Sequence, residues 1–187
     1  MDAIAIKEAK GKLRRQMLAE RSAVPEVRKK KWDQAICDRL LRIIAADNIR
    51  TVHTYIPFLS EIDVKPVIEH CLQNGIIVVA PKTLKARQLE NRVLTSLNEL
   101  ETGIMGTLHP ANPEVYSGNY DLIIVPGLAV DKQNYRLGYG GGYYDNFLIH
   151  HVNARRVGIY YPFQLLEEIP REQHDVALDQ IIIPDEL

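Results

Sequence analysis

Short apolar runs at 51–56, 76–80, 121–125, 156–160 and 180–183 alternate with stretches of helical period, and this alternation limits what the chain can fold into. Each run is rich in Ile and Val and too short for a buried helix, so each reads as a strand. Strands separated by helices pair in parallel, with the crossovers laid on the faces of the sheet. The expected fold class is therefore α/β: a three-layer α/β/α arrangement with a mostly parallel sheet and helices on both faces. Ligands in such sheets bind beyond the carboxyl ends of the strands. That directs attention to the loops after Ile56 and after Val125.

The helical stretches are read from their apolar spacing. Ile6, Ala9, Leu13 and Met17 mark one face of a first helix, which Ser22, Val24 and Pro25 interrupt. Trp32, Ile36, Leu40, Ile43 and Ile44 mark a second, with the basic run 28–31 as a solvated face in its first turns. Asp63 is placed as the N-cap of a third helix running to Gln73, with Pro66 in its first turn and Asn74-Gly75 as its stop. A further short strand is expected at 89–94. The segment 102–119 reads as an irregular connection, and a last helix as spanning 143–151.

At 187 residues the chain is expected to form one domain, 1–187, with enough core to need neither disulfides nor a structural metal. A net charge of -1 gives no bulk affinity for nucleic acid. Cys37 and Cys71 lie far apart and outside any CxxC, as in a reduced protein, and both are expected in helix cores. The N-terminal stretch 1–15 is charged and has no apolar signal core, and no apolar run is long enough to span a bilayer. These features predict a cytoplasmic monomer acting on small molecules, with neither a nucleic-acid nor a membrane partner.

The stretch 125–145, VPGLAVDKQNYRLGYGGGYYD, carries the chemistry. Gly138, Gly140, Gly141 and Gly142 fall between an expected strand and an expected helix, and glycine lets backbone amides approach an anion without a Cβ in the way. Arg136 adds a planar cation suited to phosphate. By chemistry alone the stretch is either a phosphate cradle or a flexible loop. It has no GxxxxGK[ST], and Tyr143 occupies the last glycine of a GxGxxG, so neither common nucleotide fingerprint applies.

The same stretch resembles the signature of the 5-formyltetrahydrofolate cyclo-ligase family: a Pro-Gly, then an Asp, then Arg-Leu-Gly-x-Gly-x-Gly-Tyr-Tyr-Asp. Lys10 with Leu13-Arg14, Glu61-Ile62, His174-Asp175 and Leu178-Asp179 resemble other family segments in the right order. Asn134 stands where the family usually has glycine, and Asn146 where it often has a basic residue.

The resemblance implies a fold similar to that of sugar-phosphate isomerases and CoA transferases. It also implies ATP as co-substrate with Mg²⁺, and cyclisation of 5-formyltetrahydrofolate to 5,10-methenyltetrahydrofolate. ATP is expected to meet Lys10, Gly11, Lys12, Leu13 and Arg14. On the loop it is expected to meet Arg136, Leu137, Gly138, Tyr139, Gly140, Gly141, Gly142, Tyr143 and Tyr144. The folate is expected at Ile56, Glu61, Tyr139, Gly140, Gly141, Gly142 and Tyr143. Arg136 is implied as the catalytic cation, and Asp145 and Asp175 as Mg²⁺ ligands. Tyr143 and Tyr144 are read either as stacking platforms for flat rings or as packing at the helix start.

Overall fold

The computed structural model describes residues 3–173 and 175–185. Two helices, α1 (Ala3–Ser22) and α2 (Glu26–Ala46), open the chain, and Pro25 caps the second where its missing amide costs nothing. Strand β1 (Thr51–His53) leads through α3 (Lys65–Gln73) to β2 (Ile77–Thr83), which turns back into β3 (Leu89–Leu94). A small hairpin follows, β4 (Leu100–Thr102) and β5 (Leu108–Pro110), and then β6 (Leu122–Val125). Next come β7 (Ala129–Asp131), β8 (Arg136–Leu137) and α4 (Tyr143–Leu148). The chain closes with β9 (Arg155–Ile159), β10 (Leu165–Leu166) and β11 (Gln180–Ile182).

The main sheet has the order β11-β9-β6-β1-β2-β3, and only the β2–β3 pair is antiparallel. Alternation along β6 shows why the sheet is covered on both sides. Leu122 and Ile124 join the core that α2 and α3 build with Ile36, Leu40 and Ile68, while Ile123 and Val125 join Phe147 and Leu148 of α4. The expected three layers are therefore present. The helix α1 instead packs Met17 and Leu13 against Leu128, Ala129, Leu137 and Ile169, next to a second sheet ordered β10-β7-β8.

Several expected boundaries shift. The run 51–56 is ladder strand only through His53; Thr54 adds one amide bond to the Val79 carbonyl (2.9 Å), and Pro57 then offers no donor. Asp63 is not the N-cap of α3: Val64 is, and the Asp63 carboxylate accepts from the Lys65 amide instead (3.1 Å). The stop at Gly75 holds, with φ at 68°. The segment 102–119 contains β5 and the end of the β4–β5 hairpin, which Gly and Pro content had disguised. The last helix ends at Leu148, where the chain passes into short turns.

The chain runs outward from β1 through β2 to β3, then returns to β6 on the other side of β1 and continues to β9 and β11. The order reverses between β1 and β6, so the loops leaving these two strands diverge and leave a crevice at their carboxyl ends.

Candidate functional site

Arg136 is not in the glycine loop. It lies on β8, paired with β7, and the β7–β8 turn is what places it. The Asp131 carboxylate accepts from the amides of Gln133 and Tyr135, and the Asn134 amide bonds to the Asp131 carbonyl (2.9 Å). Asn134 itself has φ 65°, as expected for a residue standing in a glycine position, and its side-chain amide donates to the Leu178 carbonyl. Asp131 is fully buried and also faces Arg171 at 3.0 Å. Its role in holding the turn had no signal in spacing.

Arg136 is 5% exposed, and its Nη1 donates to Asp145 Oδ1 at 2.8 Å. The structure thus joins the expected catalytic cation directly to an expected metal ligand. The Arg136 Nε is enclosed with no partner among the described residues. An unsatisfied buried donor is costly, and an anion at that point would satisfy it.

The loop between β8 and α4 is held from α1. Arg14 Nε donates to the Gly138 carbonyl (2.9 Å), and a Cβ on Gly140, whose φ is 100°, would fall 3.2 Å from the Arg14 guanidinium carbon. Glycine is favoured there by conformation, and a Cβ would also make the Arg14 guanidinium give way by a few tenths of an ångström. Lys10, one turn earlier on the same face, is 4% exposed and lies 2.6 Å from Asp175 and 2.8 Å from Glu172. The structure therefore brings Lys10 and Asp175 together, as it does Arg136 and Asp145. His174 lies outside the described residues.

The side chains of several other residues expected at the ligands face elsewhere. Lys12 is exposed, and at about 100° per residue it points away from the Lys10–Arg14 face. Gly11 is half-exposed between those faces, while Leu13 and Leu137 pack into the core against Met17. Ile56 is 5% exposed and belongs to the α2–α3 core, so its side chain does not line the crevice. Tyr144 packs edge-on against His53 and Phe147, its hydroxyl enclosed, which favours packing over stacking on a ligand. Tyr143 donates its hydroxyl to the Leu84 carbonyl (3.0 Å), tying the loop to the β2–β3 turn.

Glu61 sits in the loop after β1, at the crevice. Its Oε2 accepts from the Phe58 amide (2.9 Å) and its Oε1 from the Tyr139 hydroxyl (2.6 Å). Burial raises its carboxyl above the usual range, opposed by those two bonds and by Arg21. Arg21, at the end of α1, is 5% exposed; its Nη2 donates to the Tyr139 hydroxyl (2.7 Å) and its Nε to Ser60 (3.1 Å). Arg21 escaped the sequence reading, although it lies seven residues past Arg14 on the same stripe of α1.

His53, under α4, is fully buried. Its Nε2 meets Asn91 at 2.9 Å, and desolvation lowers its pKa to about 3, so it is neutral at physiological pH. Burial pushes the Cys37 and Cys71 thiols up to about 12 and about 11, so both are core residues, as expected, and not nucleophiles. Among the described residues no group of three or more His, Cys, Asp or Glu side chains could hold a metal ion, and no helix is long and apolar enough to cross a membrane. The expected Mg²⁺ ligands are each held by a cation here, Asp145 by Arg136 and Asp175 by Lys10; Mg²⁺ typically takes one or two carboxylates and completes its shell with phosphate and water.

The model of the 5-formyltetrahydrofolate cyclo-ligase family matches residues 6–184. The chain is 32% identical over 185 residues to 5-formyltetrahydrofolate cyclo-ligase of Mycolicibacterium smegmatis, covering 94% of each chain. It is 24% identical to the Mus musculus cyclo-ligase, covering 99% of this chain and 98% of that one. Two solved structures are similar at 28% identity. The 5,10-methenyltetrahydrofolate synthetase of Mycoplasma pneumoniae superposes with a TM-score of 0.75, covering 92% of this chain and 97% of that one. That of Aquifex aeolicus gives 0.78, covering 93% and 89%.

Proposed function

The chain belongs to the 5-formyltetrahydrofolate cyclo-ligase family, and from that premise we propose that it uses ATP to close 5-formyltetrahydrofolate to 5,10-methenyltetrahydrofolate. One observation supports the placing of the site. Arg14 from α1, the glycine loop and Glu61 meet where the strand order reverses between β1 and β6.

The chemistry explains why a nucleotide is needed. A formamide is a poor electrophile, because its nitrogen lone pair is delocalised into the carbonyl. The formyl oxygen attacks the γ-phosphorus of ATP and ADP leaves. N10 of the folate then attacks the formyl carbon, its proton is lost and phosphate departs, which leaves the N5–C–N10 methenyl bridge. The protein has to align two substrates and offset phosphate charge. The amides of Gly138–Gly142 and the Arg136 guanidinium, whose Nε has no partner among the described residues, provide donors for the phosphoryl oxygens. Arg14 fixes the loop and Lys10 sets Asp175. Asp145 and Asp175 would hold a Mg²⁺ ion, which supplies positive charge beside the phosphates. Glu61 accepts hydrogen bonds from the N–H groups of the pterin.

The test is direct. Protein, Mg-ATP and 5-formyltetrahydrofolate are mixed, and the near-ultraviolet methenyl chromophore is followed together with ADP release. One ADP per ring closed is expected. ATP hydrolysis without methenyl product, or no reaction, would refute the proposal.

A further inference from the structure

The Tyr139 hydroxyl sits between a buried donor, Arg21, and a half-buried acceptor, Glu61. It accepts from Arg21 Nη2 (2.7 Å) and donates to Glu61 Oε1 (2.6 Å). Both partners are fixed independently: the Arg21 Nε is on Ser60, and the second Glu61 oxygen is on the Phe58 amide. Tyr139 is not fixed in this way. It is 47% exposed, and Gly138 and Gly140 flank it, the latter at φ 100°. The crevice below, walled by Arg21, Tyr55, Glu61, Pro126 and Gly127, has room for little more than a water molecule. Pockets for drug-sized ligands run to roughly 300–1,000 Å³. A folate needs more room than this crevice gives, and the Tyr139 hydroxyl holds the hydrogen-bonding positions of Arg21 and Glu61 in its wall.

A donor and an acceptor held side by side match a cyclic amide edge, where a carbonyl oxygen adjoins an N–H. The pterin ring of the proposed substrate has that edge: a carbonyl at position 4, an N–H at position 3 and an amino group at position 2. We infer that Arg21 and Glu61 form a bracket that reads the pyrimidinone edge of the substrate, and that Tyr139 occupies the bracket as a placeholder until the substrate displaces it. Arg21 donates to the 4-carbonyl, and Glu61 accepts from N3 and the 2-amino group. The proposal rests on the folate reading of the site and adds a specificity residue and a displaceable gate to it. Filling the bracket when empty also has a physical reason, since a buried guanidinium and a half-buried carboxylate lose solvation and are costly without partners. The adenine of ATP also offers an adjacent donor and acceptor, so the test must separate the two rings.

Binding is measured by titration calorimetry for the parent, Arg21→Met and Tyr139→Phe. The ligands are 5-formyltetrahydrofolate, its analogue with a 4-amino group replacing the 4-oxo, and ATP. The parent should prefer the oxo compound by roughly ten- to a hundredfold, the ratio for losing a hydrogen bond to a charged donor. Arg21→Met should lower that preference severalfold and leave ATP affinity unchanged; the part that remains belongs to Glu61, because the 4-amino analogue also lacks the N3 proton. Tyr139→Phe should bind the folate as tightly as the parent or more tightly, because the competing hydroxyl is gone. An unchanged preference in Arg21→Met, a loss of ATP affinity in its place, or folate binding weakened more than about threefold by Tyr139→Phe would overturn the bracket. Should Arg21→Met not fold, Arg21→Lys serves, since an ammonium without the planar fork should give an intermediate ratio. An unchanged ratio in a variant that still turns over sinks the bracket alone. A parent that does not bind the folate sinks the proposed function with it.

Discussion

Replacing Asp145 by Asn separates two tasks that fall on one carboxylate. Its Oδ1 lies 2.8 Å from Arg136 Nη1, and the side chains are 20% and 2% exposed respectively. Asn keeps the shape and one acceptor oxygen but removes the charge. Unit charges about 4 Å apart attract by ~4 kcal/mol at an effective dielectric constant of about 20. Breaking a buried pair costs about 3–5 kcal/mol. The partial exposure of Asp145 and the retained oxygen reduce the expected loss to about 2 kcal/mol. For a chain of this size that lowers Tm by about 4–8 °C. The same change should cost much less in an Arg136→Met background, where no buried cation is left behind. Thermal and urea unfolding should be measured without ATP or Mg²⁺, so that ligand binding does not enter. Activity is then followed against free Mg²⁺. If Asp145 also holds the metal, turnover should fall sharply and recover partly as Mg²⁺ is raised. A Tm within about 1 °C of the parent would refute the pairing argument. A Mg²⁺ curve overlaying the parent's would remove Asp145 from the metal site and leave it as the partner of Arg136.

Three further outcomes are expected. His53 has a folded pKa of about 3 against about 6.5 unfolded, so its contribution is full above pH 6.5 and declines as pH falls towards 3. By pH 5 the loss is about 2 kcal/mol, and urea titrations at pH 7.5 and pH 5 should show it in the parent and show it diminished in His53→Gln. Asn134→Gly relieves a left-handed φ but gives up the bond to Leu178, so Tm should move by less than about 3 °C with activity kept; a larger drop would give the bond precedence over the turn. Lys10→Met leaves the Asp175 carboxylate, 9% exposed, without its cation, and should lower stability by about 3 kcal/mol; unfolding at matched pH decides, and an unchanged midpoint would mean that the pair is solvated.

Sequence alone determined the layers. The Ile and Val runs with helices between them specify a parallel sheet covered on both faces, and β6 shows this directly, with alternate residues serving opposite cores. The run RLGYGGGYYD identified the loop and its family, because close backbone approach requires glycine in that pattern. The positive φ of Asn134 was also legible, since few residues other than glycine tolerate it.

Tertiary structure decided the partners. Sequence could mark Arg136, Asp145, Lys10 and Asp175 as charged site residues, but only folding matched Arg136 with Asp145 and Lys10 with Asp175. The pairing of Lys10 with Asp175 spans 165 positions, and no local pattern encodes it. Arg21 was missed for the same reason: on an isolated helix it reads as one more solvated cation, and its burial comes from Tyr139 and Ser60 closing over it. The family resemblance placed Ile56 and Tyr144 beside the ligands, and only the fold shows that the Ile56 side chain packs into the core and that of Tyr144 against His53. Local propensity and periodicity act over a few residues and fix elements; the desolvation of charge depends on what covers it, and that is settled only when distant segments meet.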